Sequence, residues 1–324
     1  MLAGPFFVPI TRKLEPVFQE KAKEVTELFD RIIAAGNGRS GSVNVCDAFT
    51  RFTLDIVGKT VLGQDMSNLK STTFTGEEQQ DAKTGGYRLS QAYESIFSQG
   101  PVGNALLFAN GFVPIRWLPL KANRDFLYGT SWLNDVLRDL IRKRTEEITA
   151  NNKTGKLNTI ESRDLLTFIV EESMPGGPAE GIAEENFLGH LLQLMAAGVD
   201  TGSNILAWSA LIFATQQDVQ DTLRAEISFR VYPPATTIHR QAVTDLVIDG
   251  VAVRKDKPID VVFSMAMLNP LVWGDDADKV DPSRWGRLTE AQQSPHAFSA
   301  FSNGPRICAG RTLPWSRSRP SLSR

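Results

Sequence analysis

The chain has only two cysteines in 324 residues, Cys46 and Cys308. So few exclude a disulfide framework, and neither lies in a C-x-x-C pair of the kind that holds structural zinc or performs thiol redox work. A reducing compartment fits best. Excess charge is lacking as well: 35 basic residues against 37 acidic leave a formal charge of −2. No overall field therefore recruits nucleic acid or an anionic membrane. Long hydrophobic runs are also missing. The opening MLAGPFFVPITRKLEPVFQEK is interrupted by Pro5, Pro9, Arg12 and Lys13 well before a bilayer-spanning length. The expectation is a chain without signal peptide, anchor or membrane span.

What is present is a folded body. A hydrophobic content of 42% suffices for a substantial core. Leu14, Val17, Phe18, Val25, Leu28, Phe29, Ile32 and Ile33 recur at three- and four-residue steps until Gly36 to Gly38, which predicts an amphipathic helix with a glycine stop. A second helix is expected through Phe49, Phe52, Ile56 and Val57, with Asp47 as its N-cap and Cys46 buried just before it as a small hydrophobe. Residues 66–85 read as a polar loop. Val102 to Leu120 is apolar, aromatic and broken by Gly111, Pro114 and Pro119; it suits short helices over an apolar cavity, at a membrane surface, or packed in a core. A long helix over Ala122 to Ile148 turns Arg138, Arg142, Lys143 and Arg144 to solvent, and Leu165 to Val170 is a short apolar helix.

Ala183 to Gln216 is expected to be one long helix, apolar on nearly all sides, running through the core. Inside it AAGVDTG places glycine, Asp200 and Thr201 where each weakens a helix. A local rule broken in a core helix marks a place to look for function. After Arg230 the texture turns to β-branched residues with turns at Asp249-Gly250 and Lys257-Pro258, predicting short strands in a small sheet. The last residues, 314–324, are Ser/Arg-rich and expected to be disordered.

The stretch FSNGPRICAG holds Cys308. Phe301, Gly304, Arg306, Cys308 and Gly310 form F-x-x-G-x-R-x-C-x-G, and each position suits a haem. Glycines bring the backbone close to a flat macrocycle, Cys308 supplies an axial thiolate tuned by loop N–H groups, Arg306 pairs with a propionate, and Phe301 packs on the ring. An ordinary turn with a buried cysteine is the plainer alternative, but five specified positions in ten are hard to match by accident.

At this point the sequence resembles the cytochrome P-450 family of haem-thiolate monooxygenases. AAGVDT is similar to that family's central-helix signature, with Gly198 leaving room for dioxygen and Asp200 with Thr201 relaying protons. RVYPPATTIHR resembles the segment after the family's K helix, putting Arg240 in a propionate-binding place, and DPSRW resembles its meander, putting Arg284 beside Arg230 in a structural ion-paired cluster. The resemblance implies a mainly α fold with a minor β part, one domain over 1–324 that is an incomplete version of the family's, with its long central helix over haem b. It implies an oxidoreductase: RH, O2, two electrons and two protons give ROH and water, the electrons coming from NADPH through a separate reductase. No G-x-G-x-x-G or flavin-binding stretch is expected in the chain itself. The overall style resembles fungal microsomal members used in detoxification or secondary metabolism, on the cytoplasmic face of the endoplasmic reticulum. The substrate implied is a small hydrophobic molecule.

One departure stands out. The family's E-x-x-R element wants a glutamate where this chain has Ile227, with Glu226 one position early in EISFRVYPP. Removing one member of a buried ion-paired cluster leaves charge uncompensated. QQDVQDTLRAEI is similar to the family's J helix, yet the tail of the K helix follows at once, so an intervening stretch is missing. The expectation is a truncated chain or a faulty gene model, and the competing function is a non-catalytic family member that does not bind haem productively.

Overall fold

A computed structural model of the chain describes residues 14–36, 38, 40–70, 89–97, 100–110, 113–114, 117–154, 164–215 and 226–312. These residues form two compact units, with the division between Asp200 and Thr201. The polar stretch over 71–88 and the tail from 313 onward lie outside the described residues.

The N-terminal unit is helical. Helix α1 (Glu15–Gly36) is the amphipathic helix expected from the sequence and lies along α2 (Val45–Val61). Asn44, and not Asp47, caps α2: its side chain accepts from the Asp47 N–H at 3.2 Å, so Asp47 sits inside the first turn, where its charge suits the helix dipole. Cys46 also lies inside that turn and is exposed, not a buried hydrophobe. Helices α3 (Leu89–Phe97) and α4 (Gly100–Asn110) follow, and α3 packs along the long α5 (Lys121–Thr154). Among the described residues of the apolar segment around α4, Phe108 and Trp117 are 73% and 77% exposed and do not pack in a core. On α5, Arg138, Arg142 and Lys143 face solvent as expected, whereas Arg144 is only 15% exposed and bonds to Asp164 and Thr167. Asp164 at the same time caps α6 (Leu165–Ser173). The core gathers Leu54, Val57, Tyr93, Leu133, Leu166, Leu191, Met195 and Val199.

Helix α7 (Glu184–Thr215) carries the unit boundary within it. In the C-terminal unit, α8 (Glu226–Val231) is followed by two antiparallel pairs. Strand β1 (Thr237–Gln241) pairs with β4 (Pro258–Val262), Thr237 opposite Val262 and Gln241 opposite Pro258. Between them β2 (Leu246–Ile248) and β3 (Val251–Val253) form a hairpin closed by Asp249 and Gly250, φ 47° and 80°. Positive φ at both positions matches the turn to the right-handed twist of its strands. Short helices α9 (Phe263–Met267), α10 (Pro270–Trp273) and α11 (Glu290–Gln293) lead to the cysteine loop. This unit packs around Ile205, Phe229, Met267, Trp273, Trp285 and Phe298, with Trp285 edge-on to both Trp273 and Phe298.

Candidate functional site

The cysteine loop is built from its own hydrogen bonds. The Cys308 N–H donates to the Phe301 carbonyl at 2.8 Å, closing the loop across seven residues. Ser302 and Gly304 take the left-handed conformation, φ 61° and 71°, which at Gly304 only glycine adopts without strain. The Asn303 amide fastens the loop by donating to the Pro295 carbonyl at 3.0 Å and to Ser299 Oγ at 2.9 Å. Phe301 is half-buried, its ring 5.0 Å from that of Phe229. A 3-10 turn over Ala309–Thr312 follows. The Cys308 thiol, Gly304 and Arg306 are all exposed on this frame, and Gly310 is half-exposed.

The same unit holds two buried arginines, Arg230 next to Phe229 and Arg284 in the 3-10 turn Pro282–Gly286. They are 1% and 4% exposed. Arg230 donates to the carbonyls of Met267, Ala277 and Lys279 at 2.5 to 2.9 Å and lies 4.9 Å over the Trp273 ring. Arg284 donates to the Trp273 and Asp276 carbonyls and pairs with the Asp276 carboxylate at 2.8 Å. Its Nε, fully buried, has no hydrogen-bond partner among the described residues. Burial, and next the neighbouring Arg284 charge, pull the Arg230 pKa down to about 10, which leaves it a cation at neutral pH. The expected Glu226 side chain lies outside the described residues.

Arg240 is on β1, exposed, and donates to the His239 carbonyl. Gly198 and Asp200 fall in the N-terminal unit, Thr201 at the start of the other. A Cβ on Gly198 would come within 2.9 Å of Val57, so the approach of α2 is itself a reason for glycine there. Asp200 accepts a 2.5 Å hydrogen bond from Tyr93. No local pattern announces Tyr93, whose partner lies 107 residues away.

The donor set fits a haem. An exposed thiol on a loop fixed by its own backbone bonds is a soft ligand for iron, and exposed Arg306 and Arg240 suit carboxylates. The letters G-x-G-x-x-G do occur, at Gly36 to Gly41, contrary to the expectation from sequence. They follow helix α1 rather than a strand, so the context of a dinucleotide site is lacking. A Cβ on Gly41 would meet Ile32 at 2.6 Å, which accounts for that glycine by packing.

The family model for cytochrome P450 matches residues 1–229 and 228–314, and the chain belongs to the cytochrome P450 family. It is 25% identical to the cytochrome P450 monooxygenase sphH of Aspergillus fumigatus, over 93% of this chain and 59% of that protein. It is also 25% identical to the cytochrome P450 monooxygenase 205 of Postia placenta, over 95% of this chain and 64% of that one. The second alignment runs over 357 positions, more than the 324 residues here. The chain thus spans about three-fifths of the length of these relatives. In fold it is similar to a solved cytochrome P450, CYP102L1, with TM-score 0.71 and 18% identity, covering 98% of this chain and 71% of that one. The fold is therefore mainly helical with a few strands, and it represents part of the family's fold. Among the described residues no helix is long and apolar enough to cross a membrane.

Proposed function

We propose that this chain is the core of a haem-thiolate monooxygenase in which Cys308 ligates the iron of haem b. The observation that carries the reading is the complete Cys308 loop, closed from Cys308 to Phe301 and presenting an exposed thiol. Cys308 would hold the haem iron as a thiolate, and the haem would supply activation of dioxygen. The chain's own residues do the rest. Loop N–H groups orient the sulfur, Arg306 and Arg240 neutralise propionates, Phe301 and Gly304 shape the backbone under the ring, Gly198 leaves room beside it, and Asp200 with Thr201 passes protons by way of a carboxylate and a hydroxyl. Overall, RH, O2, two electrons and two protons give ROH and water. The substrate is a small hydrophobic molecule, the electrons come from NADPH through a separate reductase, and the family's microsomal, fungal-type setting on the endoplasmic reticulum suits the relatives in Aspergillus and Postia.

A second reading has its own observation. The family model meets itself at residues 228 and 229, beside Ile227, and Arg284 Nε is left without a partner among the described residues. A stretch lost just ahead of α8 would remove the acid that two buried arginines need, and the chain would then be a non-catalytic relative. The spectrum of the reduced, carbon monoxide-treated protein after haem addition separates the readings. A thiolate-type Soret band in the wild type, abolished by Cys308→Ser, supports the first. Haem that binds with the same spectrum in both proteins overturns the ligand assignment, and failure to retain haem favours the second reading.

A further inference from the structure

Tyr93 is fully buried on α3, in the middle of the N-terminal core, with its ring 4.7 Å from that of Phe97 and tilted against it. Its one polar atom is aimed at Asp200: the phenol donates to Oδ1 at 2.5 Å. The contact ties α3 to α7 at the residue where α7 breaks its own helical preferences. A buried phenol needs an acceptor, but many acceptors would serve, and this one is the carboxylate of the acid-alcohol pair. We infer that Tyr93 is the positioning residue for Asp200, holding its carboxylate in one orientation from which a proton is passed on toward the Thr201 hydroxyl. The inference rests on the proton-relay reading of Asp200 and Thr201.

Tyr93 is a fixed donor and not a link in the relay. Burial, and then the hydrogen bond to Asp200, raise its pKa far above the usual phenol range, so it keeps its proton throughout. Protons enter and leave at the carboxylate and are replaced from water, and the phenol O–H bond never breaks. The role is geometric: a misplaced relay group lowers the yield of each turnover without changing how substrate binds.

Two measurements test this. In the first, tyrosinate absorbance is followed through an alkaline titration, which requires neither haem nor turnover. Of the four tyrosines in the chain, the wild type should hold one protonated until the protein unfolds. Tyr93→Phe should remove that late step, and Asp200→Asn should bring it to lower pH. If Asp200→Asn leaves the step where it was, the pairing is overturned. In the second, haem-loaded protein with reductase and NADPH is given 7-ethoxycoumarin as an apolar probe. Tyr93→Phe should lower product per NADPH about three- to tenfold, the worth of one typical hydrogen bond, with peroxide rising in its place. KM and the carbon monoxide spectrum should not change. The double variant with Asp200→Asn should be no worse than Asp200→Asn alone. Full yield in Tyr93→Phe, with yield lost in Asp200→Asn, overturns the positioning role and leaves the relay standing. Full yield in Asp200→Asn overturns both.

Discussion

Lys21 and Arg230 are both cations removed from water, at 0% and 1% exposure, and the two units treat them in opposite ways. In the N-terminal unit the Lys21 ammonium sits 2.9 to 3.2 Å from the oxygens of Glu24 and Asp65, and Lys70 completes the network by bonding Glu24 at 3.0 Å. In the C-terminal unit Arg230 has carbonyls and an aromatic face, and among the described residues makes no ion pair; the nearby Asp276 pairs with Arg284 and is 45% exposed. Burial works against both charges. For Lys21 the bonds to Asp65 and Glu24 outweigh it and raise the pKa above the ordinary lysine value. For Arg230 burial and Arg284 prevail, and the pKa falls to about 10. The carboxylates beside Lys21 favour its charged form, whereas the carbonyls and ring around Arg230 do not offset burial and the Arg284 charge.

The widest separation between the two clusters should come from deleting each cation. Lys21→Met leaves Glu24, 8% exposed, and Asp65 without their shared partner, and should cost about 3–5 kcal/mol in urea unfolding followed by far-UV circular dichroism. Arg230→Met removes a charge that has no acid to abandon, and should cost no more than about 1–3 kcal/mol, the penalty of carbonyls left unsatisfied. Equal costs would break the comparison.

Acid should act on one cluster before the other, with a smaller effect. Burial pushes the Asp65 pKa up, but the bonds from Lys21 and the Ser67 N–H outweigh it and hold it below the ordinary value. A carboxyl with a depressed folded pKa contributes stability above its unfolded value and loses it as pH falls through the folded one. The thermal midpoint of the N-terminal unit should therefore drop as pH is taken below about 4, and Asp65→Asn should flatten that drop. An unchanged slope in Asp65→Asn would show that the pair is not coupled to folding.

These clusters also mark the limits of what the chain reveals by its order of residues. Helices α1, α2, α5, α6 and α7 were legible because apolar periodicity is local, and their ends differed by a few residues because caps compete: Asn44 and Asp47 are equally good candidates until the backbone chooses. The cysteine loop was legible because its five specified residues lie within ten positions and fasten to each other. Arg144 was misread because Asp164, which draws it inward, is twenty positions away. Lys21 was invisible for the same reason, since Asp65 lies 44 residues on, and Tyr93 more so. Arg230 and Ile227 were the reverse case. The departure at Ile227 was visible in sequence, and the structure adds that Arg284 Nε is buried without a hydrogen-bond partner among the described residues.

The most direct test restores that acid. Ile227 stands three residues before Arg230 on α8, a spacing at which side chains on one helix meet. Wild type and Ile227→Glu, each supplied with haem, should be compared by thermal unfolding and by haem retained after gel filtration. The expected result is a stabilisation of about 1.5–3 kcal/mol, the worth of a hydrogen bond to a charged group, and more haem retained. Equal or lower stability, with no gain in haem, would contradict the proposal that Arg230 and Arg284 are served by a carboxylate at position 227 and that haem binding depends on it.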